Sequence, residues 1–154
     1  EASEQAMQEA VASMTTLNKY AAEICKKYAV HACTDVTGFS FLGHLHEMLD
    51  GKLSARIDSR HVPIMTEALH HADEFLLTAA GQRNRNYVKD FVQFKNIPFA
   101  MEEVLLDPQT SGGLLLAVEP VQAAQLEQEL QQAGLPARIV GEIINKTEPE
   151  ILVL

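Results

Sequence analysis

Basic residues are scarce in this chain: 12 Lys and Arg stand against 21 Asp and Glu, a formal net charge of −9. A phosphate backbone would meet repulsion over most of such a surface, which argues against a nucleic-acid partner. No apolar run approaches the roughly 20 residues that span a bilayer, and no basic stretch leads into an apolar one as in a signal peptide. The expectation is a cytoplasmic protein with no membrane partner. Cysteine is nearly absent, and Cys25 and Cys33 lack C-x-x-C spacing. Two buried thiols in a reducing compartment are therefore expected, rather than a disulfide or a redox pair. The histidines supply no chelating pair. His44 and His46, two apart on a helix, point about 200° away from each other, the adjacent His70 and His71 meet the same objection, and His31 and His61 have no partner in sequence. No zinc site, internal repeat or low-complexity tract is found.

The chain does have the means for one packed domain, with 154 residues of which 47% are apolar. It starts at Glu1 rather than Met and opens directly into helical sequence, so a piece of a longer protein is expected, with residues 1–154 as a single domain. Apolar residues at steps of three and four predict one long amphipathic helix over 3–29, with Met7, Val11, Met14, Leu17 and Tyr28 on its stripe. Further helices are predicted at about 39–50, after Pro63, and at 120–133, and a helical turn at 101–106. Strands are predicted at 30–33, 53–58, 114–118, 137–144 and 151–154. Residues 79–87 read as a polar loop whose Arg83 and Arg85 are candidates for phosphate oxygens, and 88–94 is apolar without a clear period. The fold class is α+β: layers of helix and sheet, with a mixed sheet of about four to six strands covered by helices.

Two stretches carry the candidate chemistry. Thr34-Asp35-Val36-Thr37-Gly38-Phe39-Ser40-Phe41-Leu42-Gly43-His44 runs from a predicted strand into a helix, and the first N–H groups of a helix are unpaired and partly positive, so an oxyanion finds donors there. Thr34, Thr37, Gly38 and Ser40 suit such a cradle. Asp35 does not, because a carboxylate beside a phosphate is repulsive unless it caps the helix or a divalent cation lies between them. Capping and metal binding both remain open for it. The second stretch is Leu106-Asp107-Pro108-Gln109-Thr110-Ser111-Gly112-Gly113-Leu114-Leu115. Its glycine pair permits positive φ or close approach of another backbone, so Gln109–Gly113 is either an anion-facing nest of N–H groups or a tight packing turn.

Together these two stretches resemble the signature segments of the C-terminal domain of the selenophosphate synthetases (selenide, water dikinases), in the superfamily that includes aminoimidazole ribonucleotide synthetase. The similarity covers most of the chain. It implies the C-terminal domain fold of that superfamily and a parent enzyme that uses ATP and Mg²⁺ to make selenophosphate from selenide and water, releasing AMP and orthophosphate. It also implies an N-terminal domain, not represented in these 154 residues, that supplies most of the nucleotide site and forms a homodimer. By the resemblance Asp35 is a ligand of the metal–phosphate cluster, while Thr34, Thr37, Gly38, Asp107, Thr110, Ser111, Gly112 and Gly113 are nucleotide- or phosphate-binding candidates. No catalytic residue is assigned within the chain, so the fragment alone is expected to be inactive. The family usually has Gly at the place of Ser40 and often Ala at that of Cys33, and the Gly81-Gln82-Arg83-Asn84 run matches a family loop only in part. The alternatives are another ATP-using superfamily member, of the aminoimidazole ribonucleotide synthetase or thiamine monophosphate kinase type, and a non-catalytic binding domain of the same fold.

Overall fold

A computed structural model describes residues 2–154. Helix α1 (Glu4–Thr15) is capped by Ser3, whose hydroxyl accepts from the Ala6 N–H at 3.1 Å. The predicted 3–29 helix does not continue through. At Thr15 and Thr16 the hydroxyls bond back to the carbonyls of Val11 and Ala12, and these β-branched residues compete with the helical ladder. The chain leaves helical geometry at Thr16 and restarts as α2 (Lys19–Cys25). The first half of the expected stripe is also not covered: α1 has no buried residue, and Met7, Val11, Met14 and Leu17 are each about half exposed, whereas Tyr28 packs against the cluster around Cys25.

Strand β1 (Val30–Asp35) leads into α3 (Ser40–Leu49), β2 (Leu53–Ile57), a short 3-10 turn at Ser59–His61, and α4 (Ala68–Asp73). The helix expected after Pro63 thus begins only at Ala68. Residues 79–87, expected as a loop, form helix α5 (Ala79–Val88), nucleated by Thr78, whose hydroxyl accepts from the Gly81 N–H at 2.9 Å. Then follow β3 (Val92–Phe94), α6 (Phe99–Leu106), β4 (Leu114–Val118), α7 (Pro120–Gln132), β5 (Gly141–Asn145) and β6 (Ile151–Val153).

The α+β expectation holds, with the strands divided between two sheets. A four-stranded mixed sheet runs β3-β6-β2-β5, parallel at β3/β6 and β6/β2 and antiparallel at β2/β5. The other two strands, β1 and β4, form a separate antiparallel ribbon with Asp35 opposite Leu114. Helix α3 joins them. Its Leu42, Leu45 and Leu49 are buried with Ala55 and Ile57 of β2, Ile151 and Val153 of β6, Leu105 and Leu106 of α6, and Leu115 of β4. Burying each such side chain stabilises by about 1.5–3 kcal/mol, so the helix that follows the Asp35 turn is firmly held. A smaller cluster of Cys25, Leu126 and Leu130 packs α2 and α7 against the other side of the ribbon.

Candidate functional site

The two signature stretches meet at one end of the β1/β4 ribbon. Past Asp35 and Leu114 the strands stop pairing regularly, yet the loops stay joined: the Val36 N–H donates to the Gly113 carbonyl at 3.0 Å, the Gly112 N–H to Val36 O at 2.9 Å, and the Gln109 N–H to Thr37 O at 3.0 Å. Gly112 is required by space. A Cβ there would lie 2.7 Å from Val36 O and 2.9 Å from Val36 Cβ. Gly113 is required by conformation, with φ +82. Of the two readings left open for the glycine pair, the packing turn is therefore the one realised at Gly112, whose N–H is already committed.

Asn84 fastens the junction from outside. Its Nδ2 donates to Gly38 O and to Leu106 O, each at 3.0 Å, and the side chain is buried. One amide thus ties the end of the first stretch to the start of the second. The polarity of 79–87 predicts a loop and gives Asn84 no role there; the local signal for the helix is Thr78 as its N-cap. Asp107 is engaged in the same way. Thr78 Oγ1 donates to Asp107 Oδ1 at 2.8 Å, and burial, against that bond and with the nearby Glu103 charge, pushes the Asp107 carboxyl above its ordinary value. Arg85, a candidate for phosphate, is instead turned to Glu103 at 2.6 and 3.1 Å and to Glu102 at 2.9 Å. Arg83 is exposed.

The first stretch keeps its carboxylate available. Strand β1 alternates half-buried Val30, Ala32 and Thr34 with exposed His31, Cys33 and Asp35. Among the described residues no hydrogen bond or ion pair engages the Asp35 carboxylate, so Asp35 is not a helix cap; α3 begins at Ser40 with no side-chain cap bond from Phe39. Thr34 makes only a long bond to the Asp35 carbonyl, 3.3 Å. Thr110 is exposed and Ser111 half-buried in the facing loop. Gly38 has nothing within 4 Å of where a Cβ would stand. Ser40, fully buried, takes φ +69, the left-handed region in which glycine is at ease.

Cys33 corrects an expectation. It is exposed, because it shares the outward row of β1 with Asp35, whereas Cys25 is buried as expected. Partial burial and the Asp35 charge both push the Cys33 thiol up, which disfavours the thiolate and makes it a poor nucleophile. His44 and His46 are packed apart, as their spacing requires: His44 bonds Thr37 and Glu47, while His46 stacks on Phe91 at 4.1 Å and bonds the buried Glu150 at 2.5 Å. Among the described residues no three His, Cys, Asp or Glu side chains converge as a metal cage, and no helix is long and apolar enough to cross a membrane.

The sequence matches the family described as AIR synthase related protein, C-terminal domain, over residues 1–153. The chain belongs to that family. Among curated proteins, one of Agathobacter rectalis named selenide, water dikinase is 60% identical over 149 residues, 96% of this chain and 44% of that protein. Proteins of the same name from Desulfitobacterium hafniense and Treponema denticola are 44% and 42% identical, over 96% and 90% of this chain and 43% and 41% of their own length. The chain thus spans less than half the length of the curated relatives it matches.

Proposed function

We propose that this chain is the C-terminal portion of a selenide, water dikinase, and that Asp35 is its contribution to the metal–phosphate cluster of the intact enzyme. The reaction proposed for the parent converts ATP, selenide and water to selenophosphate, AMP and orthophosphate. The observation that carries the reading is the Asp35 carboxylate, exposed and without a partner among the described residues, at the mouth of two loops stitched together by Gly112 and Asn84. In a chain of net charge −9, such a group repels a nucleotide unless a cation stands between them. Mg²⁺ fits that donor set, because it is normally held by one or two carboxylates with phosphates and waters completing the shell. When bound, Mg²⁺ neutralises charge on the phosphoryl groups being transferred. The remaining ligands and most of the nucleotide site would come from an N-terminal domain, and the exposed Met7, Val11 and Met14 of α1 give that domain an apolar face to cover. The intact enzyme is proposed to be a cytoplasmic homodimer, and the 154 residues alone to be inactive.

Thr110 and Ser111 remain in this reading as phosphate-side donors from the facing loop, together with Thr34 from β1. Asp107 and Gly112 act as framework. The test is Asp35→Asn in the intact chain. Selenide-dependent formation of AMP should fall by about 100-fold or more, in the range of losing one electrostatic contact to a transferring group, while urea denaturation shifts by less than about 0.5 kcal/mol, as for an exposed side chain. Full ATP turnover and unaltered Mg²⁺ dependence in the variant would remove Asp35 from the cluster. Turnover of a purine or thiamine precursor in place of selenide would move the chain to another branch of the superfamily, and no turnover with any of them would leave a binding domain.

A further inference from the structure

Thr37, His44 and Glu47 form a line of hydrogen bonds that the function proposed above does not use. Thr37 Oγ1 lies 3.1 Å from His44 Nε2, and His44 Nδ1 lies 2.9 Å from Glu47 Oε2. The arrangement is built into the chain. His44 and Glu47 are three apart on α3 and so share a face, while Thr37 is pinned in the turn before the helix, its carbonyl accepting from both the Ser40 and the Gln109 N–H at 3.0 Å. The His44 ring is 8% exposed and is held edge-on by Phe39, with centroids 5.7 Å apart. A buried ring with both nitrogens matched has little freedom to reorient.

With the ring neutral, the donor and acceptor inventory sets the direction of each proton. An ionised carboxylate only accepts, so the Glu47 bond places a proton on His44 Nδ1. In the neutral ring the other nitrogen, Nε2, is a bare acceptor, and the only donor Thr37 can offer it is its hydroxyl proton. That proton points inward along the relay. The Thr37 oxygen is left with lone pairs for a partner outside it, which suits a cation or the water of a hydrated cation and does not suit a phosphate oxygen.

We infer that His44 and Glu47 are positioning residues that fix the Thr37 hydroxyl as an acceptor towards the hydrated cation at Asp35, so that Thr37 serves the cation rather than the phosphate. This rests on the reading of Asp35 given under the proposed function. It also separates Thr37 from Thr110 and Ser111, which lie in the facing loop and have no such relay among the described residues.

The experiment uses the intact chain. In a ¹⁵N-histidine spectrum, with His44 assigned by its absence from His44→Asn, the ring should show a protonated Nδ1 and a bare Nε2; the opposite pattern overturns the inference without reference to activity. Mg²⁺ binding in the presence of a non-hydrolysable ATP analogue supplies the second readout. Thr37→Val and His44→Asn should each weaken it by about 10- to 100-fold, the usual effect of losing an outer-shell partner. The double variant should be no worse than either single one, because both remove the same link. Thr37→Ser, which keeps the hydroxyl, and His44→Gln, which keeps a polar atom at the Nε2 position, should recover most of the affinity. Factors that multiply in the double variant, or unchanged Mg²⁺ binding in both single variants, overturn the relay. If the intact wild-type enzyme, with its N-terminal domain, makes no AMP from ATP and selenide, the functional proposal falls, while the ring signature still judges the relay. If it does make AMP and the signature is reversed, only the relay falls.

Discussion

The two stretches that meet at the end of the β1/β4 ribbon use the same kinds of residue to opposite ends. In Leu106–Leu115 the groups other than Thr110 and Ser111 are taken up internally: Asp107 accepts from Thr78, the Gly112 and Gln109 N–H groups bond Val36 and Thr37, and Leu106 O takes one hydrogen bond from Asn84. In Thr34–His44 the Asp35 carboxylate and much of Phe39 face solvent. A carboxylate in the second stretch is a framework group, and one in the first is free to meet a charge from outside. Residue type alone does not distinguish Asp35 from Asp107; what separates them is whether a neighbouring donor reaches them first. Four substitutions sharpen or break this contrast.

The largest effect is expected at Gly112. A methyl group there meets Val36 O at 2.7 Å and Val36 Cβ at 2.9 Å, and neither backbone can move without loosening the junction. Gly112→Ala should destabilise by about 3 kcal/mol, the upper range for overpacking, read as a shift of the urea midpoint at constant m. A shift of less than about 1 kcal/mol would mean that the loops are not held in register by this contact.

Next is Asn84→Ala, which strips two carbonyls, the partly buried Gly38 O and the buried Leu106 O, of the same donor. Leaving buried acceptors unpaired costs about 1–3 kcal/mol each way the group is counted, and about 2 kcal/mol is expected for the pair, since water can reach the Gly38 side. Full-length turnover should fall with it, because the Asp35 turn is no longer tied to the facing loop. An unchanged midpoint would show that the glycine contacts alone suffice.

Asp107 tests the framework assignment through pH. Burial raises its folded-state value above the ordinary 3.8, the Thr78 bond opposing and Glu103 reinforcing the shift. For a carboxyl raised on folding, the contribution to stability is fully present below 3.8 and is lost as pH rises through the higher folded value. Asp107→Asn keeps an acceptor for Thr78 and carries no charge, so the wild-type decline just above pH 3.8 should vanish. At neutral pH the variant should equal or exceed wild type by less than about 1 kcal/mol, allowing for solvent screening of a half-exposed group. A steep loss of stability in Asp107→Asn at neutral pH would mean that the ionised carboxylate is needed at this position.

Much of the fold was legible because local signals agreed with tertiary ones. The 40–49 helix, the 53–57 strand and the 120–132 helix carry a clear period, 114–118 is a short apolar run, and each lies where the pattern puts it. The failures have separate causes. The Thr15-Thr16 pair breaks a helix whose apolar spacing continues beyond it, because hydroxyl back-bonding is invisible to a hydrophobic count. Helix α5 was hidden by its polarity: Gln82, Asn84 and Arg85 are satisfied by Glu103 and by two carbonyls far away in sequence, partners no local window contains. At the site, the position of Asp35 before a helix was readable, and its lack of a partner was not. The commitment of Gly112, Asp107 and Arg85 to internal contacts depends on which segments fold against each other, and composition does not encode that.

The smallest expected effect is at Ser40, and it has the opposite sign. Ser40 begins α3 with φ +69 and is fully buried. A left-handed backbone costs a residue with a Cβ about 1–2 kcal/mol, which glycine does not incur. Against this, glycine loses about 0.5–1 kcal/mol of extra chain entropy on folding, and the Ser40 hydroxyl gives up a long, weak bond from the Gly43 N–H at 3.4 Å. The balance favours Ser40→Gly by about 0.5 kcal/mol, seen as a small rise in Tm. Because Thr37 O accepts from the Ser40 N–H, the same substitution asks whether the strain holds the Thr37–His44 line in place. If Tm rises and Mg²⁺ binding in the intact chain is unchanged, the turn is set by the backbone bonds and Ser40 is a tolerated replacement. If Tm falls by the equivalent of 1 kcal/mol or more, the buried hydroxyl is holding the first turn of α3, and the open stretch is fastened at its helix end as firmly as the closed one.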